Sequence, residues 1–534
     1  TDQFVDPSFN YGGWVELYNP TNSIIKLSGL YVSGESTNPT QFLIPSTTET
    51  IAPKSFHTLW FDHNAADGYY GGKAVNQVNF KLEAEGDTLF LFDHNGTLLL
   101  SQTYPAGIPR CSWARTTDFG NEWMMCSTPT PGKSNSGSSF SQQRLAAPVV
   151  DTDGTLFVQP FTVHVTIPQG TVLKYTTDGT TPTLSNGMTS ADGTFSIQKT
   201  TVLRFCLFAD GYLPSPVVTR SYIYRNHDYY LPVISVVTNP DNLYDDTIGV
   251  YTKGTNGRVG NGQSSACNWN MDWERPVNVE YMEPVSTDGS IDYLTRINQE
   301  ADFEISGGWT RAYGGGTVDG KYWPMKSSFR IKTDKRYEGK NSLDYPVFPN
   351  KPYNKYKVWQ VRNGGNDTHA RIIDPSLGQM VIQSGFNVDA QDCQSAHVFF
   401  NGEYLGMLNI RESNNRHYGY SNFGIDTDDM DQFDLSDAKY NQKVGDKEAW
   451  NQLVALSQQL ASDKSEQTYN QICHLLDMNE YVNYMALECY LGNSDWVTNV
   501  NNVKGYRCRS NDGKFRFVLF DCDSAFGNNN MTNS

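Results

Sequence analysis

The sequence predicts a multi-domain chain in which two all-β sandwiches precede an α+β domain. Its 534 residues exceed what one ordinary core organises, at a prior of ~150 residues per domain. Up to residue 226 apolar and polar positions alternate between clusters of turn residues, whereas from residue 227 strand-like runs share the chain with helical periodicity. Aromatic residues at 13% and charged residues at only 19% favour packed domains over a disordered chain.

Residues 1–136 carry runs such as "WVELYNPTNSIIKLSGLYVS" and "DTLFLFDHNGTLLLSQ". In the second, His94, Asn95, Gly96 and Thr97 separate two period-2 runs, a hairpin signal in an all-β module. The Pro, Gly and Ser of "STPTPGKSNSGSSFSQQR" leave little to bury and read as a linker, with a domain boundary near residue 140. In 137–226, "FTVHVTI", "VLKYTTDGTTP", "GTFSIQ" and "TVLRFCLFADG" are strand runs spaced as in a small β-sandwich. From 227 to 534, "LPVISVVT", "SSFRIKTD" and "AHVFFNGEYLGMLNIRE" read as strands. "KEAWNQLVALSQQLAS" and "YNQICHLLDMNEYVNYMALECYLGN" read as helices, the second ending at Gly492.

A formal net charge of −17 repels a phosphate backbone, so nucleic acid is not an expected partner. No apolar stretch approaches the ~20 residues that cross a bilayer, and the first residues lack a basic, then apolar, leader pattern. Nine cysteines form no CxxC or Cys/His spacing, which gives a structural zinc site no support. Cys111 and Cys126 flank a hairpin-like segment and are either bridged or two buried thiols.

Chemistry concentrates in the last third. The strand-like "FVLF" stops on Asp521, and Asp523 follows across a cysteine. Two acids at the end of a rigid strand suit a hard cation. Upstream, "GNSDWVTNVNNVKGYR" places Asp495 just past a helix and Asn502 before an apparent strand, the order of a kinase catalytic loop and its metal-binding segment. The same residues also suit ordinary turns and solvated loops, which leaves a structural role open. Lys326 and Lys332 in "WPMKSSFRIKTD" are candidate phosphate-holding cations, and alternation does not choose between them. The glycine-rich "SGGWTRAYGGGTVDG" reads as a flexible loop first and a nucleotide lid second. "GIDTDDMDQFDLSD" starts like a calcium loop, but Met430 stands where an oxygen ligand belongs, so a solvated acidic loop is expected. There is no GxSxG or HExxH, and His397 reads as a satisfied strand residue; distant glycosidase carboxylates stay open.

In order, "KSSFRIK", "VRNGGND", "DPSLGQM", "FFNGEYLGMLNIRES", "YMALECYLGNSDWVTNVNNVKGYR" and "FRFVLFDCDSAFG" resemble the CotH kinase family of spore-coat-protein-H-like atypical kinases. The resemblance implies a protein-kinase-like fold that uses ATP and Mg²⁺ or Mn²⁺ to phosphorylate Ser or Thr of a protein substrate. By motif position it makes Asp495 the catalytic acid/base, Asn502, Asp521 and Asp523 metal ligands, and places Lys326 and Glu412 with the cofactor. The segment after "DPSLGQM" offers Gln379 and Gln383, where ordinary kinases pair their lysine with a glutamate. Family members usually continue with further helices, which implies a domain trimmed near Ser534.

"WVELYNPTNSIIKLSGLYVS", "FKLEAEGDTLFLFDHNGTLL" and "TPTPG" make the first module resemble a lamin-tail domain, an immunoglobulin-like sandwich whose opening strand is missing ahead of Thr1. "LKYTTDGTTPT" and "TVLRFCLFADGY" make the second resemble the chitobiase/hexosaminidase C-terminal sandwich, an accessory of carbohydrate enzymes. Such modules usually decorate exported bacterial proteins, which implies an extracytoplasmic location. Two functions follow: an exported protein kinase, or a non-catalytic cell-surface protein that recognises glycan or protein through its sandwiches.

Overall fold

Alternation in the first region resolves into facing sheets. The computed structural model describes residues 3–44, 50–61, 77–227, 229–261, 263–287, 289–308, 311, 316–318, 321–323, 327–338, 341–365, 367 and 371–527. Gly13–Tyr18, Phe56–Phe61 and Gln77–Val78 form one sheet, and Phe42–Leu43, Tyr31–Ser33, Gly86–Phe92 and Leu98–Pro105 another. Leu27, Val32, Ile44, Ile51, Leu59, Phe61 and Val78 close the core between them. The expected hairpin turn is present: Asp93 Oδ1 accepts from the Asn95 and Thr97 amides, and Gly96 takes a φ of 78°.

In the next hairpin Ser112, not Cys111, lies opposite Cys126, and both cysteines are free thiols. Residues 127–144 are more ordered than their composition predicts. Phe140–Ser141 adds a strand to Trp123–Cys126, the Asn135 amide donates to Asp118, and Ser141 Oγ donates to the Gly211 carbonyl. Polar bonds hold this stretch where apolar burial does not.

The second module packs Val149–Val150, Phe161–Thr166 and Thr194–Ile197 over a five-stranded sheet around Val163, Val165, Leu173, Ile197, Phe205 and Leu207.

In the C-terminal domain we label, in chain order, β1 Val233–Val237, β2 Arg275–Thr287, β3 Ser290–Ser306, β4 Ser328–Lys332, β5 Val358–Arg362, α1 Ile373–Ser384, β6 Asp389–Ala390, β7 Cys393–Phe400 and β8 Glu403–Glu412. There follow β9 Met430–Ser436, β10 Lys439–Val444, α2 Glu448–Asp463, α3 Glu466–Leu475, α4 Met478–Leu491, α5 Ser494–Asn499, β11 Val503–Cys508 and β12 Phe515–Leu519.

Strands β1-β2-β3-β4-β5-β8-β7 form a closed barrel, sealed by parallel pairing of β7 with β1. Alternation on β4 works as expected: Phe329 and Ile331 enter the core, while Arg330 and Lys332 point outward to Glu304. A five-stranded sheet, β6-β12-β11-β9-β10, lies beside the barrel. Helices α2 to α4 cover one face of it through Leu453, Ile472, Tyr484, Leu487 and Leu491 against Phe433, Phe515, Phe517 and Leu519. Tyr418 packs with Met430, Tyr506 and Val518 in a separate cluster.

Two expectations are corrected here. The long helix before Gly492 is two helices, because Leu476 bridges to Phe515 and the Asp477 side chain caps α4 by accepting from the Glu480 amide. The acidic loop is strand β9 after a short turn, and its buried Asp431 is neutralised by Arg507 and Arg509.

Both sandwiches dock on the barrel. Ser221 and Ser235 hydroxyls share a 2.8 Å hydrogen bond at a seam where Leu156, Ile223, Tyr229, Val233, Met282, Tyr293 and Phe399 form a common apolar cluster. From the first module, Phe9 stacks edge-on against Trp273, and Arg275 donates to the Phe9 carbonyl at 2.7 Å. Among the described residues no helix is long and apolar enough to cross a membrane.

Candidate functional site

Strand β12 delivers the acid pair and β11 the amide. Lys504 lies opposite Val518, so continuing the register sets Asn502 opposite Phe520, one residue before Asp521. Asn502 and Asp521 both leave the sheet in the left-handed region, at φ 58° and 57°. Helix α4 stops at Gly492, also left-handed at φ 58°, and the reversed chain starts α5 with Asp495 in its first turn. Asp495 Oδ2 accepts from Asn502 Nδ2 at 2.7 Å and from Asn501 Nδ2 at 3.0 Å. Thus Asp495, Asn502 and the acid pair converge on one end of one sheet, although they are spread along the sequence.

The acid pair is held from the barrel side. The Cys522 amide donates to Asp374 Oδ1 at 2.9 Å, and Arg411 grips Asp374 Oδ2 at 2.8 Å. Burial would raise Asp374, but Arg411 and then Arg362 hold it below the usual carboxylate range. Arg362, at the end of β5, reaches Asp521 Oδ1 at 2.5 Å and Asp523 Oδ2 at 3.7 Å. Burial opposes its charge, yet Asp521, Asp374 and Asp523 raise it above the ordinary guanidinium value. Gly365, at φ 59°, lies so close that a Cβ there would run into Asp523 Oδ2.

Glu412 lies elsewhere in this junction. It opposes Trp359 on β5, three residues from Arg362, which is about 10 Å along a strand. Its carboxylate is buried, takes Lys351 Nζ at 3.0 Å and accepts from Asn422; burial raises it and Lys351 opposes the rise. Lys332 is committed to Glu304 and Glu274 on the barrel exterior. Lys326 and most of the glycine-rich stretch lie outside the described residues. Gln379 on α1 donates to Asp392, and Gln383 to Gln379. His397 is a strand residue, with Nδ1 3.0 Å from the Tyr404 hydroxyl.

Asp374, Arg362, Arg411 and Lys351 were not singled out by sequence reasoning. Three of them stand inside runs whose signal was present: Arg362 and Arg411 are charges on strands that otherwise feed a core, and Asp374 opens a helix.

The oxygen donors are those a hard divalent cation takes: the Asp521 and Asp523 carboxylates, and the Asn502 carbonyl, since its amide nitrogen is engaged by Asp495. Among the described residues no group of three or more His, Cys, Asp or Glu is gathered for a metal.

Residues 316–534 match the family model described as CotH kinase protein, residues 3–106 that of the Lamin Tail Domain, and residues 152–219 that of the Chitobiase/beta-hexosaminidase C-terminal domain. The three stand in the order the motifs imply. The first match begins inside the barrel, after β3. A search of curated proteins returned no match to the chain.

Proposed function

We propose that the C-terminal domain is an atypical protein kinase that transfers the ATP γ-phosphate to Ser or Thr of an exported or surface protein. The observation that carries this reading is the hydrogen bond from Asn502 to Asp495 on a strand paired with the one that ends at Asp521. It gathers an acid, an amide and two further carboxylates at one sheet end, the set that phosphoryl transfer uses. Asp495, fixed by two amides, orients the acceptor hydroxyl for in-line attack and receives its proton. Mg²⁺ or Mn²⁺, held by Asp521, Asp523 and the Asn502 carbonyl, would neutralise phosphate oxygens, and Lys326 holds those phosphates by its motif position. The sandwiches present the domain outside the cytoplasm and are the candidates for glycan or protein contact.

The test is incorporation of label from γ-labelled ATP, with Mg²⁺ or Mn²⁺, into the protein or an added extract. Asp495→Ala should lower incorporation roughly 100- to 10,000-fold with an unchanged melting temperature. No incorporation and no nucleotide binding by the wild type would refute the reading. The second reading is then a non-catalytic surface protein. It is favoured by one observation, the Arg362 ion pair that already meets Asp521.

A further inference from the structure

Arg362 meets Asp521 and Asp523 and Arg411 meets Asp374, so these five groups by themselves, two guanidiniums against three carboxylates, carry one net negative charge. Arg362 is largely enclosed, with 12% of its side chain exposed, and its contact with Asp521 is a charge-assisted bond at 2.5 Å. A divalent ion that entered alone would have to compete with this guanidinium for Asp521 and Asp523 and leave it only the charge of Asp374, in a setting where unbalanced charge is costly. An ion that enters with phosphate oxygens removes the difficulty, because the guanidinium fork matches phosphate as well as carboxylate. Mobility of Arg362 is limited to its side chain, since β5 is fixed on both sides by β4 and β8.

We propose that Arg362 makes metal binding at Asp521 and Asp523 conditional on nucleotide. In the free protein it is the counter-ion of the acid pair. When nucleotide and metal bind together, it exchanges Asp521 for the phosphates. Arg362 is thereby a positioning and phosphate-contacting residue, a role that rests on the phosphotransfer reading above and adds to it an order of assembly.

The experiment measures Mn²⁺ binding to the full chain by electron paramagnetic resonance of the free ion, with and without a non-hydrolysable ATP analogue, after subtracting the ion that the same analogue binds in a protein-free control. Wild type should bind Mn²⁺ at least about 10-fold more tightly with the analogue, within the usual range of coupling between sites. Arg362→Gln should bind Mn²⁺ alone about 10-fold more tightly than wild type and gain less than about 3-fold from the analogue. Arg362→Lys, which keeps the charge, should bind Mn²⁺ alone as weakly as wild type. The inference is overturned if wild type binds Mn²⁺ equally well with and without the analogue, a comparison that needs no variant to fold. It is also overturned if Arg362→Gln retains the wild-type gain. In either case the phosphotransfer reading survives, provided the analogue binds. If neither Mn²⁺ nor the analogue binds wild type, both readings fall.

Discussion

The junction around Arg362 and Arg411 and the helix α4 behind the same sheet bury carboxylates under opposite rules. At the junction Asp374 is enclosed, yet two arginines hold it below the ordinary range. On α4, Glu480 and Glu488 are likewise enclosed, at 2% and 0% exposure, and among the described residues neither is in an ion pair, although the more distant Arg516 acts on Glu480. Burial pushes Glu480 up to about 8, opposed by the bond its carboxylate accepts from the Phe517 amide. Burial likewise pushes Glu488 up to about 7, opposed by the Asn493 side chain. The difference teaches where charge is fixed and where it is conditional. The acid pair is held by arginines, whereas the helix that leads to Asp495 holds carboxyls that burial shifts up toward neutral pH.

Removing the cation from the first region should have the largest effect. Arg411→Met leaves Asp374 buried without its principal partner and should cost about 3–5 kcal/mol in chemical denaturation. Glu488→Gln, which only fixes a protonated-like state, should change stability by about 1 kcal/mol or less at neutral pH. Equal losses would erase the contrast.

A smaller effect is expected at Gly365. Gly365→Ala places a Cβ against Asp523 Oδ2 and holds an L-residue at φ 59°. It should cost about 1–2 kcal/mol and displace the acid pair, read as a lower melting temperature together with weaker Mn²⁺–nucleotide binding. A stable variant with normal binding would mean that the glycine turn does not seat the acids.

The last effect is a slope against pH. Glu480 is raised in the folded chain from an ordinary value of 4.5 to about 8, so its contribution to stability is whole below about pH 4.5 and is lost as pH rises through about 8. Glu480→Gln cannot ionise and keeps an acceptor for the Phe517 amide. Its melting temperature should therefore fall less than that of wild type between pH 6 and pH 9, in thermal melts followed by circular dichroism. Identical slopes would show that Glu480 does not titrate in this window.

Much of this was legible in the sequence because it is local. Period-2 alternation put Phe329 and Ile331 inside β4, turn residues marked the hairpin at Asn95 and Gly96, and Gly492 marked the end of α4 with Asp495 just beyond it, though not the short helix α5 that carries Asp495. The break between α3 and α4 was also written there, as Asp477 and Glu480 spaced for an N-cap, but the continuous apolar pattern masked it. Strand β9 was hidden because acids fall on both of its faces: Asp431 answers Arg507 and Asp434 answers Lys504. What could not be read is long-range. Arg362 and Asp521 are 159 positions apart, and the barrel closes only when β7 returns to lie parallel with β1. No window of sequence states such partners, which are chosen by the assembled fold.

The seam between the second sandwich and the barrel has a practical corollary. A protease that severed the chain near residue 227 and let the sandwich drift off would uncover Tyr229, Val233, Met282 and Phe399 together, a greasy scar on the barrel wall. Shedding would therefore yield a self-adhering remnant in place of a liberated catalyst, and the small sandwich is better regarded as masonry than as an ornament.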